Sequence, residues 1–209
     1  MVDFFLPYVH GDESSLSILA AAKGIGNVTL LYSEGMPSVE GMRSSHIDRL
    51  DSLDTLRMMA EHVTAPYLAL SCDVRPFRLG QNALHRVAQV MDSTGASMLY
   101  ADFNERVGES TVAHPLIDYQ LGSVRDDFDF GPLLFFESAS FKRCVSEMDE
   151  SISYSALYDL RLRLSEQSLP FHLNETMYTV LSAEKATSEE KQFAYVDARN
   201  RAVQIEREK

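Results

Sequence analysis

Short apolar runs alternate with stretches of helical periodicity along the first half of the chain, and this rhythm predicts a sheet covered by helices. Residues 3–9 read as a strand, with Pro7 restricting its later part to a strand end or edge because proline has no amide to donate. Asp12 is placed to cap a helix; Leu16, Leu19, Ala20 and Lys23 follow at helical spacing until Gly24 and Gly26 stop it. Residues 28–32 form a second strand, and residues 34–45, broken by Gly35, Pro37 and Gly41, are expected to be loop. Asp51 or Ser52 caps the next helix, on which Leu53, Leu56, Met59, Ala60 and Val63 share a face. A strand at 67–70, a helix at 79–91 and a strand at 97–101 complete a βαβαβαβ order. Such an order implies an α/β domain with a mostly parallel central sheet covered by helices.

The second half has a different texture. Residues 106–112 alternate around Gly108 like a hairpin, and 115–130 are loop-rich and acidic. A buried strand is expected at 133–136, helices at 138–148 and 155–165, and two short strands at 171–173 and 177–181. From residue 182 onward the chain is charged and poor in apolar residues. The expected division is therefore a domain over 1–181 and a charged extension over 182–209, leading into a further domain.

Composition narrows the function classes. At 209 residues the chain suits one sizeable core. Its net charge of −12 argues against a nucleic-acid partner, since phosphate neutralisation needs a basic surface. No window reaches eighteen consecutive apolar residues, so no membrane span is expected, and the start lacks the basic and apolar regions of a signal peptide. Cys72 and Cys144 sit in no metal-ligand spacing and suggest buried thiols in a reducing compartment. The expected location is cytoplasmic.

Three blocks resemble glycosyltransferase family 2, which has the GT-A nucleotide-diphospho-sugar transferase fold. The first, Tyr67-Leu-Ala-Leu-Ser-Cys-Asp-Val-Arg-Pro76, resembles the strand that ends in the family's DxD motif. The second is Leu99-Tyr-Ala-Asp-Phe103. The third is Leu157-Tyr-Asp-Leu-Arg-Leu-Arg-Leu164 with Pro170-Phe-His-Leu-Asn-Glu175, which resembles the ED-x-D-L-x-x-R-L helix and the strand after it. The runs 114–119 and 122–131 and the tail 191–201 look like large Bacteroides-type members, in which such a domain precedes a second transferase domain. The resemblance implies a nucleotide-sugar donor, a glycan acceptor, and a divalent cation, Mg or Mn, held by Asp73. It also marks departures: Ser71 stands at the first DxD position, and Ala156 and Leu157 stand at the ED pair. A degenerate module that binds nucleotide, glycan or an adjacent transferase domain is the alternative.

The candidate site residues follow. Asp73 closes an apolar strand at the carboxyl edge of the sheet, where open α/β folds bind ligands; a solvated turn acid is the plainer role. Asp102 also ends a strand and could join Glu105 in one site, or could simply enter a hairpin. Glu34 stands where the family holds the nucleobase. Asp126, Asp127 or Asp129 could replace the missing ED acid as general base, with Asp127 and Asp129 preferred, or could cap and pair within an ordered loop. For Asp159 and His114 the structural roles weigh more, an ion pair with Arg161 or Arg163 in the first case. Cys72 is expected to be a buried small residue with no activating base.

Overall fold

The computed structural model describes residues 1–8, 13–121, 128–152 and 154–182. Its elements run β1 (Val2–Pro7), α1 (Glu13–Ala20), β2 (Ile25–Tyr32), β3 (Arg43–His46), α2 (Leu53–His62), β4 (Tyr67–Ser71), β5 (Phe77–Leu79), α3 (Ala83–Thr94), β6 (Met98–Val107), β7 (Ser110–His114), β8 (Leu133–Glu137), α4 (Ser138–Ser146), α5 (Ala156–Gln167) and β9 (Phe171–Ser182). The strands among the described residues join one sheet in the order β3-β2-β1-β4-β8-β6-β9-β5, with β7 paired to β6. β1, β2, β3, β4, β6 and β9 all point one way, while β5, β7 and β8 oppose them. The expected α/β fold with a largely parallel, helix-flanked sheet is therefore present.

Alternation along each strand fills a core on each face. Phe4, Leu6, Leu30, Ala69, Leu99 and Phe135 meet Leu84, Val87 and Val90 of α3. The intervening Phe5, Leu31, Leu68, Leu70, Tyr100 and Leu134 face α2, α4 and α5. This double burial is why β4 reads as a continuous apolar run. α2 starts where its cap was expected: the Ser52 side chain accepts from the Thr55 amide at 3.2 Å.

Three expectations change. The loop over 34–45 contains the first residues of β3, whose sequence Arg-Ser-Ser-His shows no apolar face because it is an edge strand. The expected helix at 79–91 begins later, at Ala83. Residues 77–79 instead pair with β9, and the Gly80 amide donates to the Met177 carbonyl at 2.8 Å. The two short strands at 171–173 and 177–181 are one strand, β9, whose pairing with β6 shifts register between Ala101 and Phe103. β9 runs to Ser182, and residues 183–209, most of the expected charged extension, lie outside the described residues.

Candidate functional site

Asp73 lies two residues beyond β4, on the carboxyl edge of the parallel strands. A turn holds it there: the Ser71 hydroxyl donates to the Asp73 carbonyl at 2.7 Å, and the Arg75 amide donates to Asp73 Oδ1 at 2.9 Å. The Arg75 side chain then folds back, with Nε 2.7 Å and Nη2 2.5 Å from Asp73 Oδ2. Its Nη1 reaches Glu105 Oε1 at 2.6 Å and the Ser182 hydroxyl at 3.0 Å, and His114 Nε2 stands 3.1 Å from Glu105 Oε2. The Asp73 hydrogen bond helps raise the Arg75 pKa, and the Ser182 hydroxyl followed by the Arg75 charge holds the Glu105 carboxyl below its usual range. A cleft of about 30 Å³ opens here, lined by Pro7, Tyr8, Ser71, Asp73, Arg75 and Phe77 among others.

Asp102 joins a different cluster. Positions 102 and 105 differ in parity along β6, so their side chains leave opposite faces of the sheet. Asp102 is buried; its Oδ1 accepts the Leu116 amide at 2.7 Å and lies 2.8 Å from His172 Nε2. His172 Nδ1 lies 2.6 Å from Asp118 Oδ1, and the imidazole stacks on Tyr100 with centroids 4.9 Å apart. Neither this histidine nor Asp118 stood out in the sequence. The pairing of His172 with Tyr100 across β6 and β9 brings them together, and that register is a tertiary fact.

Glu34 is exposed in the bend after β2. Asp129 is exposed and accepts the Gly131 amide at 2.8 Å, a turn role. Asp126 and Asp127 lie outside the described residues. Asp159 pairs with Arg163 at 2.6 Å, one helical turn away. Burial pushes the Cys72 thiol up, and Arg161 sits beside it with its guanidinium 4.9 Å over the Phe130 ring. Arg161 Nε is buried without a hydrogen-bond partner, and burial lowers this guanidinium's pKa.

A divalent cation needs free hard oxygens. In this arrangement the Asp73 carboxylate is occupied by Arg75, and Ser71 uses its hydroxyl on the turn. Among the described residues no group of three His, Cys, Asp or Glu is placed to hold a metal ion. As arranged, Arg75 occupies the carboxylate that the cation was expected to use.

Comparison with known proteins places the fold. No protein-family model and no curated protein matches the chain. Solved structures do. Staphylococcus aureus TarS 1–349 in complex with UDP-GlcNAc superposes with a TM-score of 0.59 at 11% identity, over 91% of this chain and 60% of that one. The UDP complex gives 0.57 at 9% identity, over 87% and 60%. Full TarS gives 0.61 at 10% identity, over 87% of this chain and 36% of TarS. The chain has the fold of this part of TarS and spans about 60% of the 349-residue form. No helix among the described residues is long and apolar enough to cross a membrane.

Proposed function

We propose that this chain is a GT-A-type, family 2-like glycosyltransferase domain that moves a sugar from a nucleotide-diphosphate donor to a glycan hydroxyl, in polysaccharide assembly. The observation that carries this reading is the polar cluster of Asp73, Arg75 and Glu105 at the carboxyl edge of β4 and β6. Open α/β sheets bind ligands at that edge, and the fold is one that TarS presents with UDP and UDP-GlcNAc bound. Arg75 is the cation already at hand for a diphosphate, and Glu34 lies on the β2 side, where a nucleobase would be held. Asp73 orients Arg75. A magnesium or manganese ion belongs to this proposal only by exchange for Arg75 on Asp73. A second transferase domain adjoining residues 182–209 is part of the same proposal.

Nucleoside diphosphate release from UDP-GlcNAc, UDP-glucose, GDP-mannose and dTDP-rhamnose, each with a mixed glycan acceptor pool, tests the reading. Turnover of one donor that drops sharply in Asp73→Ala is expected. Turnover that survives both Asp73→Ala and EDTA would remove this edge from the chemistry. Binding without turnover would instead support a nucleotide-binding module, a reading favoured by the occupied Asp73 carboxylate.

A further inference from the structure

The turn that follows β4 has an arginine on each side. Ser71 is the last residue of β4, so residues 72–75 stand beyond the strand, at the carboxyl edge. On one side Arg75 closes onto Asp73 and Glu105. On the other, Cys72 packs against the core beneath α2, α4 and α5, and the side chain of Arg161 in α5 meets its thiol. The Cys72 amide donates to the Pro132 carbonyl at 2.7 Å, which sets the segment carrying Phe130 alongside, and the Arg161 guanidinium lies 4.9 Å over the Phe130 ring. Cys72 and Asp73 are consecutive, with Cα atoms about 3.8 Å apart, so the two arginines approach one short turn from its two sides.

Arg161 is short of partners. Its Nε is buried without a hydrogen-bond partner. The thiol beside it supplies no counter-charge, because burial pushes Cys72 above its usual value and keeps it protonated at neutral pH. Among the described residues, the carboxylate that acts on it is that of Asp129, which is exposed and already accepts the Gly131 amide. The Phe130 ring offsets part of the cost through a cation–π contact. A buried guanidinium left unpaired is destabilising, and the groups that match its planar fork of donors are carboxylate and phosphate. Beside a second arginine, at the edge where open α/β sheets bind ligands, a multiply charged diphosphate is the better match.

We propose that Arg161 is a second diphosphate-binding residue, acting with Arg75 across the turn 72–75, so that this edge holds a nucleoside diphosphate with two guanidinium groups where the family resemblance implies a divalent cation. The assignment rests on the glycosyltransferase reading given above and deepens it. On binding, Arg161 exchanges the Phe130 ring for phosphate oxygens, and Arg75 shares its donors between Asp73 and the ligand. Negative charge that builds on the departing diphosphate is then met by arginine.

Calorimetric titration of the full chain with UDP, GDP and dTDP in EDTA tests this, alongside the Tm of the unliganded protein. Wild type should bind one of the nucleotides, and Mg²⁺ or Mn²⁺ should change that Kd by no more than about threefold. Arg161→Met should weaken the Kd by about 10- to 100-fold. Arg161→Lys, which keeps the charge and loses the fork, should weaken it less. Inorganic pyrophosphate, which carries the phosphates without a base, should compete with the nucleotide better on wild type than on Arg161→Met. The unliganded Tm of Arg161→Met should match or exceed that of wild type, because an unpaired charge is removed from the interior. An unchanged Kd in Arg161→Met would overturn the assignment, and so would a fall in its unliganded Tm together with the lost affinity, the mark of a structural role. A wild-type Kd that tightens about tenfold or more with Mg²⁺ or Mn²⁺ would also overturn it and leave the donor edge standing. No binding of any nucleotide by wild type would overturn both readings.

Discussion

Asp3 shows how much one side chain organises. It is 2% exposed and takes the Asn27 amide at 2.7 Å, the Thr64 amide at 2.7 Å and the Ala65 amide at 3.0 Å, with the Asn27 and Thr64 side chains adding two more bonds. Burial alone would raise its pKa, but these amides more than offset it and hold the carboxyl below its usual value. A lowered carboxylate contributes stability above its unfolded pKa, near 3.9, and loses it as pH falls through the folded value. Asp3→Ala should therefore cost roughly 2–4 kcal/mol in urea unfolding at pH 7, with the gap from wild type closing below about pH 4. Arg75 governs the other edge. Arg75→Ala frees the Asp73 carboxylate, so Mn²⁺ should tighten UDP binding by about tenfold in the variant and hardly at all in wild type, as read by calorimetry. Asp73 was legible because an acid after a buried strand stands out. Arg75 reaches Asp73 within the local turn, whereas Glu105, singled out beside Asp102, meets Arg75 and Ser182 instead because the β6–β9 register brings them there.

Elements that carry their own periodicity were read from the sequence; elements made by pairing were not. β1, β4, β8 and α2 show their period or their cap in the residues themselves. β3 has no apolar alternation and β5 is only three residues long, and each forms because a neighbouring strand offers amides and carbonyls. The same logic explains Gly26 in β2. A Cβ there would stand 2.2 Å from Asp3 Oδ1, so the close approach of β2 to β1 requires glycine. Gly26→Ala should destabilise the fold, and most of that cost should vanish in the Asp3→Ala background. A double-mutant cycle by urea denaturation reads this as a coupling of about 1 kcal/mol or more; additivity would show that the strands have room.

At the scale of the whole molecule, six strands of common direction bring their carboxyl ends to one edge. The sheet then sorts the polar residues of that edge by face. Asp73, Arg75, Glu105 and His114 gather in one ion-pair cluster, and Asp102, His172 and Asp118 form another. The proposed function requires the first cluster to hold a nucleoside diphosphate. Thermal unfolding with UDP, GDP and dTDP, each with Mg²⁺, Mn²⁺ or EDTA, measures this most directly. One nucleotide at 100-fold its Kd should stabilise by about 2.7 kcal/mol, a rise of roughly 5–10 °C in Tm, and Asp73→Ala should reduce that rise. A Tm unmoved by every nucleotide, under conditions where a known family 2 transferase responds, would contradict it.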